Sequence, residues 1–285
     1  MRKVIVIPNP TKDAELKVTR SVIEKLSSLG FSPCLERKYM DANMLSAECF
    51  DAPTDKYEFI IVIGGDGSVI DASIMAVDLD LPLLGINLGK VGYLVEVDPA
   101  GLDKLDLLLS GNYEIEEKML LYVRKCSADR ADEVSERFAV NDVVVSHDNY
   151  FGISDFLVEN QKKDHVKIRA DGVIVSTPQG STAYSLSAGG PIISHNLDSI
   201  TVTPVCPHSF FNRSIVYGPE EKIKISNAVP SALNVSIDGR LFTKLEYGDY
   251  CLVEKSEKRF KMITFGESNV FSTLSKKIKS IQDVF

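Results

Sequence analysis

Near Tyr113 the chain changes its grammar, and that change constrains its fold more than any other feature. Before it, apolar runs alternate with helical patterns. Val4 to Ile7 is a short β-branched run. Val18, Val22, Leu26 and Leu29 then recur at helical spacing, with Gly30 at the expected helix end. Phe59 to Ile63 is apolar without alternation, the pattern of a strand buried on both faces. A glycine loop and a helical stretch from Ile70 to Val77 follow, then another buried strand at Leu81 to Ile86. Asp98-Pro99 supplies the chemistry of a helix start, and Gly111 a stop after Ser110. This alternation predicts an α/β N-terminal domain with a parallel sheet.

From Tyr113 to about Phe265 short β runs crowd together. They are Leu120 to Lys125, Phe138 to Ser146, Ile153 to Val158, Val173 to Ser176, Ile200 to Val205, Ile223 to Ser226, Leu233 to Ile237, Tyr250 to Glu254 and Phe260 to Phe265. Turns at Asn227, Pro230 and Asp238-Gly239 punctuate them. That density predicts a C-terminal all-β, sandwich-like domain. The expected division is 1–112, 113–266 and a tail, 267–285, packing back on the protein. Asp129 to Glu136 reads as an exposed loop.

Composition limits the partners. A net charge of −8 with no Lys/Arg cluster argues against nucleic acid and against an anionic membrane surface. No apolar run approaches the roughly 18 residues of a membrane span, and Pro8 ends the first run too early for a signal peptide. The five cysteines are scattered and form no CxxC pair, as expected of reduced thiols in a cytoplasmic protein. No metal site is visible in the pattern of the four histidines.

Gly64-Gly65-Asp66-Gly67-Ser68 follows a buried strand and opens a helix. Backbone N–H groups and a helix N-terminus at the carboxyl end of a parallel sheet attract phosphate. A carboxylate in that loop repels phosphate unless a cation bridges it or a hydroxyl donates to it, and both belong to phosphoryl transfer. The loop lacks the Lys and Ser/Thr of a P-loop and is not a GxGxxG fingerprint. These five residues alone fit a tight turn with Asp66 capping the helix equally well.

The loop resembles the GGDG motif of NAD kinases, diacylglycerol and sphingosine kinases and, more loosely, 6-phosphofructokinases. Further stretches resemble the NAD kinases in particular. These are Gly85 to Leu94, the long run from Asp171 to Pro191 containing Gly180-Ser181-Thr182-Ala183-Tyr184, and Asn141-Asp142. The likeness runs over nearly the whole chain in the family's order.

It implies an active site between the two domains, with Asp66 as catalytic base and Gly67 along the nucleotide. It implies that Asn141 and Asp142 hold hydroxyls of the dinucleotide and that Asp171 meets its nicotinamide end. Thr182, Ala183, Tyr184 and Ser187 would line the adenine and ribose. ATP, or polyphosphate in some members, would be the donor with a divalent metal ion such as Mg²⁺. NAD would be the acceptor, and the working form a homodimer or homotetramer.

The residues agree with this. Hydroxyl and carboxylate side chains suit a ribose diol, and a tyrosine can stack on a base. Four positions depart from the family pattern or carry a looser inference. Gln179 stands where Thr or Ser is frequent, and Asp71 where many bacterial members carry a basic residue. Arg240 falls where some members use Gln, and Arg169 is carried as a further contact. A lipid or sugar kinase sharing only the loop, and a non-catalytic NAD-binding regulator, are the alternatives.

Overall fold

The computed structural model describes residues 2–40, 47–53, 56–89, 92–127, 135–148, 152–208, 212–227, 229–266, 273–275 and 279. Two compact units emerge, residues 1–117 with 260–285, and residues 118–259. Most of the expected 267–285 tail, most of the expected 129–136 loop, and Lys90 and Val91 of the Gly85 to Leu94 stretch lie outside the described residues.

In the first unit the strands are β1 (Arg2–Pro8), β2 (Phe31–Glu36), β3 (Glu48–Phe50), β4 (Phe59–Gly64) and β5 (Leu83–Asn87). They pair in parallel in the order β5-β4-β1-β2-β3. The helices are α1 (Lys17–Ser28), α2 (Asp66–Asp78) and α3 (Asp106–Ser110). β4 is buried along its whole length, as its unbroken apolar run requires. Helix α1 buries Thr19, Val22, Ile23 and Leu26. Its first turn is satisfied by buried Asp13, whose carboxylate accepts the N–H of Val18 at 3.0 Å and of Thr19 at 2.8 Å.

Strand β2 was not legible, because Ser32-Pro33-Cys34 interrupts its apolar run. The helix expected from Asp98 to Ser110 is a 3₁₀ helix over Pro99–Leu105, and only α3 is α-helical. Gly101 leaves helical geometry inside it, which explains the tighter, broken winding.

The second unit is antiparallel. Its elements are β6 (Glu114–Cys126), whose first residues lie in the first unit, β7 (Ser135–Ala139), β8 (Asp142–His147), β9 (Ser154–Glu159), β10 (His165–Ala170) and β11 (Gly172–Ser176). After the short helix α4 (Tyr184–Ser187) come β12 (Ile200–Val205), β13 (Ile215–Tyr217), β14 (Ile223–Asn227), β15 (Leu233–Ile237), β16 (Arg240–Leu245) and β17 (Tyr250–Thr264). One sheet has the order β13-β12-β11-β8-β15-β16. A second layer contains β10-β9-β14-β17, with β6 on β17 and β7 on β6. Val143, Val145, Val173 and Val175 of the first layer share one core with Phe156, Val158, Ile225 and Val253 of the other. This is the expected sandwich.

β10 escaped detection because its outward positions are charged, yet Ile168 and Ala170 are buried. The single run expected from Phe138 to Ser146 is two strands, broken at Val140-Asn141. The cause is a hydrogen-bonded turn described below. The runs at Tyr250 and Phe260 join as β17, whose last residues from Phe260 belong to the first unit. There Met262 pairs in parallel with Leu83.

Candidate active site

In the first unit the chemistry collects at the carboxyl ends of β1 and β4. These strands are parallel neighbours, so the loops that follow them meet. Asn9 after β1 donates its side-chain N–H to Ser68 Oγ at 2.8 Å. Gly65 begins α2 in extended geometry and Asp66 is its first helical residue. The Asp66 side chain does not cap the helix. Its two carboxylate oxygens instead accept backbone N–H groups from another segment, Tyr93 N at 2.9 Å and Leu94 N at 2.9 Å.

A carboxylate can accept about four hydrogen bonds. Asp66 is therefore held in one orientation with lone pairs to spare. Gly92 makes this approach possible, since a Cβ there would lie 2.1 Å from Asp66 Oδ1. Gly67 is exposed, with open space where a Cβ would stand.

Sequence reasoning passed over Lys12. Its exposed ammonium stands over the glycine loop, 2.8 Å from where a Cβ of residue 65 would be and 3.9 Å from that of residue 89. Among the described residues it has no ion pair. The signal was available in Asn9-Pro10-Thr11-Lys12, a second loop at a strand's carboxyl end, but it reads as a lone charge until β1 and β4 are known to be neighbours. Beside the first turns of α2 lies a cavity of about 330 Å³. Asn9, Glu36, Tyr39, Ser68, Asp71 and Met75 are among its lining residues.

In the second unit the residues singled out from sequence gather where β8 begins and β11 ends, because Asp142 pairs with Ser176. The Val140-Asn141-Asp142 turn is gripped from two sides. Asp238 accepts the N–H groups of Val140 at 2.9 Å, Asn141 at 2.7 Å and Asp142 at 3.1 Å. Opposite, Thr177 Oγ1 donates to Val140 O at 2.7 Å, and Thr177 N donates to Asn141 O at 2.9 Å. Gly180 packs directly on the Asn141 carbonyl.

Asp142 is 4% exposed. Burial, and secondarily the charge of Asp238, push its pKa up to about 7. Gln179 is also buried, and its Oε1 has no partner among the described residues. Thr182 is half-buried and donates its hydroxyl to Gln179 O at 3.2 Å. Ala183 precedes α4, which carries exposed Tyr184 and Ser187. Burial first, and then the neighbouring Cys206, Asp171 and Asp142, raise the pKa of Tyr184. Arg240, exposed, follows the Asp238-Gly239 turn, and Arg169, also exposed, lies near the end of β10. Asp66 and Gly67 belong to the other unit.

Comparison with known proteins bears on both units. The family description "ATP-NAD kinase N-terminal domain" matches residues 4–113, and "ATP-NAD kinase C-terminal domain" matches residues 140–265. The NAD kinase of Caldanaerobacter subterraneus subsp. tengcongensis is 35% identical over 289 residues, covering 98% of this chain and 99% of that protein. The chain belongs to the NAD kinase family. The NAD kinase of Natranaerobius thermophilus is 34% identical across 100% of both chains.

Two solved structures share the fold. A yeast NADH kinase complexed with NADH superimposes with a TM-score of 0.86 at 20% identity, covering 98% of this chain and 88% of that one. An NAD kinase from Archaeoglobus fulgidus in complex with ATP gives 0.68 at 24% identity, covering 97% and 99%. The α/β domain and β-rich domain implied by the sequence resemblance are thus the fold of the NAD kinase family.

Proposed function

We propose that this protein transfers the terminal phosphoryl group of ATP to the 2′-hydroxyl of the adenosine ribose of NAD, giving NADP. The observation that carries the chemistry is the Asp66 carboxylate, fixed by two amides at the N-terminus of α2. Its spare lone pairs suit a hydroxyl donor. The 2′-oxygen forms a bond to the terminal phosphorus as the bridging oxygen–phosphorus bond breaks, and ADP leaves. Asp66 takes the hydroxyl proton. A carboxylate is a weak base for a sugar hydroxyl, but the transition state of phosphoryl transfer is loose, so placement carries most of the rate.

Lys12 and the first amides of α2 form the anion-binding corner for the donor's phosphates, with Gly67 alongside. A divalent cation arriving with the donor would neutralise its phosphates. Asp66 is the carboxylate in the loop that suits such a cation. The neighbouring cavity suits the donor's nucleoside, with the Tyr39 ring for a base and Glu36 and Asp71 as acceptors for a ribose diol. That favours ATP over polyphosphate.

In the second unit Asn141, Asp142, Gln179 and Thr182 supply buried or half-buried polar groups for the dinucleotide. Tyr184 offers its ring to the adenine, beside Ala183 and Ser187. Asp171 faces the nicotinamide end, and Arg169 and Arg240 bring cations for the pyrophosphate. The five free cysteines suit a cytoplasmic protein. The edge strand β16, which leaves Leu241 61% exposed, suits assembly with a second copy.

Incubation with NAD and MgATP should yield NADP, and its absence with both ATP and polyphosphate would favour a mere NAD binder. Lys12→Ala removes one charged contact to the donor, of the order of 1.5–3 kcal/mol. The KM for ATP should rise about 10- to 100-fold, with the KM for NAD unchanged. Steady-state kinetics with each substrate varied in turn checks this. An equal rise in both constants would count against a donor role for Lys12.

A further inference from the structure

Helix α4 is a single turn, Tyr184–Ser187, with little in its own sequence to hold it. One turn is unstable by itself, because nucleation fixes several residues for one hydrogen bond. Its N-cap, Ala183, has no side chain able to cap it. Nor does an apolar stripe pin it, since Ser185 is its only buried residue. What fastens it to the sheet is a chain of three hydroxyls. Ser185 Oγ lies 3.1 Å from Thr203 Oγ1 on β12, and Thr203 Oγ1 lies 2.9 Å from Ser214 Oγ, just before β13. Ser185 and Thr203 are buried and Ser214 is half-buried.

The chain has a direction. A buried hydroxyl hydrogen without an acceptor is costly, so the Ser185 O–H donates to Thr203 and the Thr203 O–H to Ser214. The Ser214 hydrogen is then left at the half-buried end, within reach of solvent. Gly190 closes the inner end. Its N–H donates to Ser185 O at 2.8 Å, and a Cβ there would lie 2.4 Å from Ser185 Oγ and 3.0 Å from Thr203 Oγ1. Tyr184, the residue before this anchor, is 46% exposed. The buried hydroxyl and the presented ring are thus neighbours on one turn. We propose that Ser185, Thr203 and Ser214 are positioning residues for the dinucleotide, fixing the one-turn helix that presents the Tyr184 ring to the adenine. This rests on the reading of the protein as an NAD kinase and adds three residues to it, which act through Tyr184 and not by touching the substrate.

The chain contains no tryptophan, so Tyr184→Trp places a single indole on α4, and an indole can still stack on adenine. Its fluorescence anisotropy in the ligand-free protein reads how firmly the helix is held. Its quenching by NAD, without donor, reads the affinity. Thr203→Val in this background keeps the shape of the side chain and removes the hydroxyl, whereas Thr203→Ser keeps the hydroxyl. Thr203→Val should lower the anisotropy and weaken NAD binding about 5- to 50-fold, the effect of a buried hydroxyl left without its partner. Thr203→Ser should restore both. With Tyr184 in place, Thr203→Val should raise the KM for NAD by a similar factor and leave the KM for ATP where it was.

A purely structural role for the three hydroxyls would lower Tm in Thr203→Val and leave anisotropy and affinity unchanged, and that result would overturn the proposal. So would a loosened indole with NAD affinity intact. Valine suits a strand, so Thr203→Val should fold. Should it fail to, Ser214→Ala decides instead, since it removes the last acceptor of the chain from a half-buried position. A smaller fall in both signals supports the proposal, and no change in either overturns it. Because both signals are read without turnover, a protein that showed this pattern while the wild type made no NADP would fault the kinase reading and not the hydroxyl chain.

Discussion

Asp66→Asn is expected to lower turnover by about 10²- to 10⁴-fold, the range lost with a general base, and to lower stability as well. From the sequence alone this variant is expected to fold nearly as well as the wild type. The hydrogen bonds argue otherwise. Asp66 accepts Tyr93 N with one oxygen and Leu94 N with the other. An asparagine has one acceptor oxygen, and its NH₂ group would confront the remaining amide donor. Leaving a part-buried N–H without its acceptor costs about 1–3 kcal/mol. In a protein of this size that is a fall in Tm of several degrees.

The two effects separate experimentally. Turnover measured well below the variant's Tm reports the chemistry, and thermal unfolding reports the lost amide bond. Wild-type turnover in a folded Asp66→Asn protein would remove Asp66 from the role of base. An unchanged Tm would mean that the 92–94 segment finds another partner for its amide.

The fold and the site differ in how far they can be read from the chain, and the difference has a physical cause. Apolar periodicity marks β4 because the strand is buried on both faces, and the same rule marks β11 and β12 in the sandwich. It fails where an element is short, edge-placed or interrupted by polar residues, as in β2, β10 and β16. The glycine loop and the Asp171 to Pro191 stretch were legible because small residues and glycines at fixed spacing are tied to close backbone approach. Gly180 against Asn141 and Gly92 against Asp66 are the contacts that explain them.

Lys12 and Asp238 were not legible as site residues. Each acts on a partner distant in sequence, Lys12 on a loop more than fifty residues away and Asp238 on one nearly a hundred away, with |i−j| of 98 for Val140. A lone charge in a turn carries no sign of such a partner until strand order is known.

Gly180→Ala is the substitution expected to damage the second unit most. A Cβ at this fully buried position would stand 1.9 Å from Asn141 O, 2.4 Å from its carbonyl carbon and 2.8 Å from its Cα. All three are backbone atoms, so no side-chain rotation relieves the overlap. Asn141 must retreat by more than about 1 Å to restore ordinary contact.

That retreat is opposed from both sides. The Asn141 carbonyl accepts Thr177 N at 2.9 Å, and the Asn141 amide donates to Asp238 at 2.7 Å. Overpacking of this kind costs about 1–3 kcal/mol, and each buried hydrogen bond broken in the retreat adds about 1–3 kcal/mol. A total of roughly 3–6 kcal/mol is a large part of the 5–15 kcal/mol that holds a typical protein folded. The expected result is a Tm lowered by about 10 °C or more, with NAD affinity lost along with the turn that carries Asn141 and Asp142.

Gly67→Ala is the natural control. A Cβ there meets nothing within 4 Å, and the position lies in the first turn of α2, where alanine is favoured over glycine. Its Tm should equal or exceed that of the wild type. If Gly180→Ala behaved like Gly67→Ala in thermal unfolding, the turn would be soft. The grip of Thr177 and Asp238 on it would then contribute little to holding the dinucleotide.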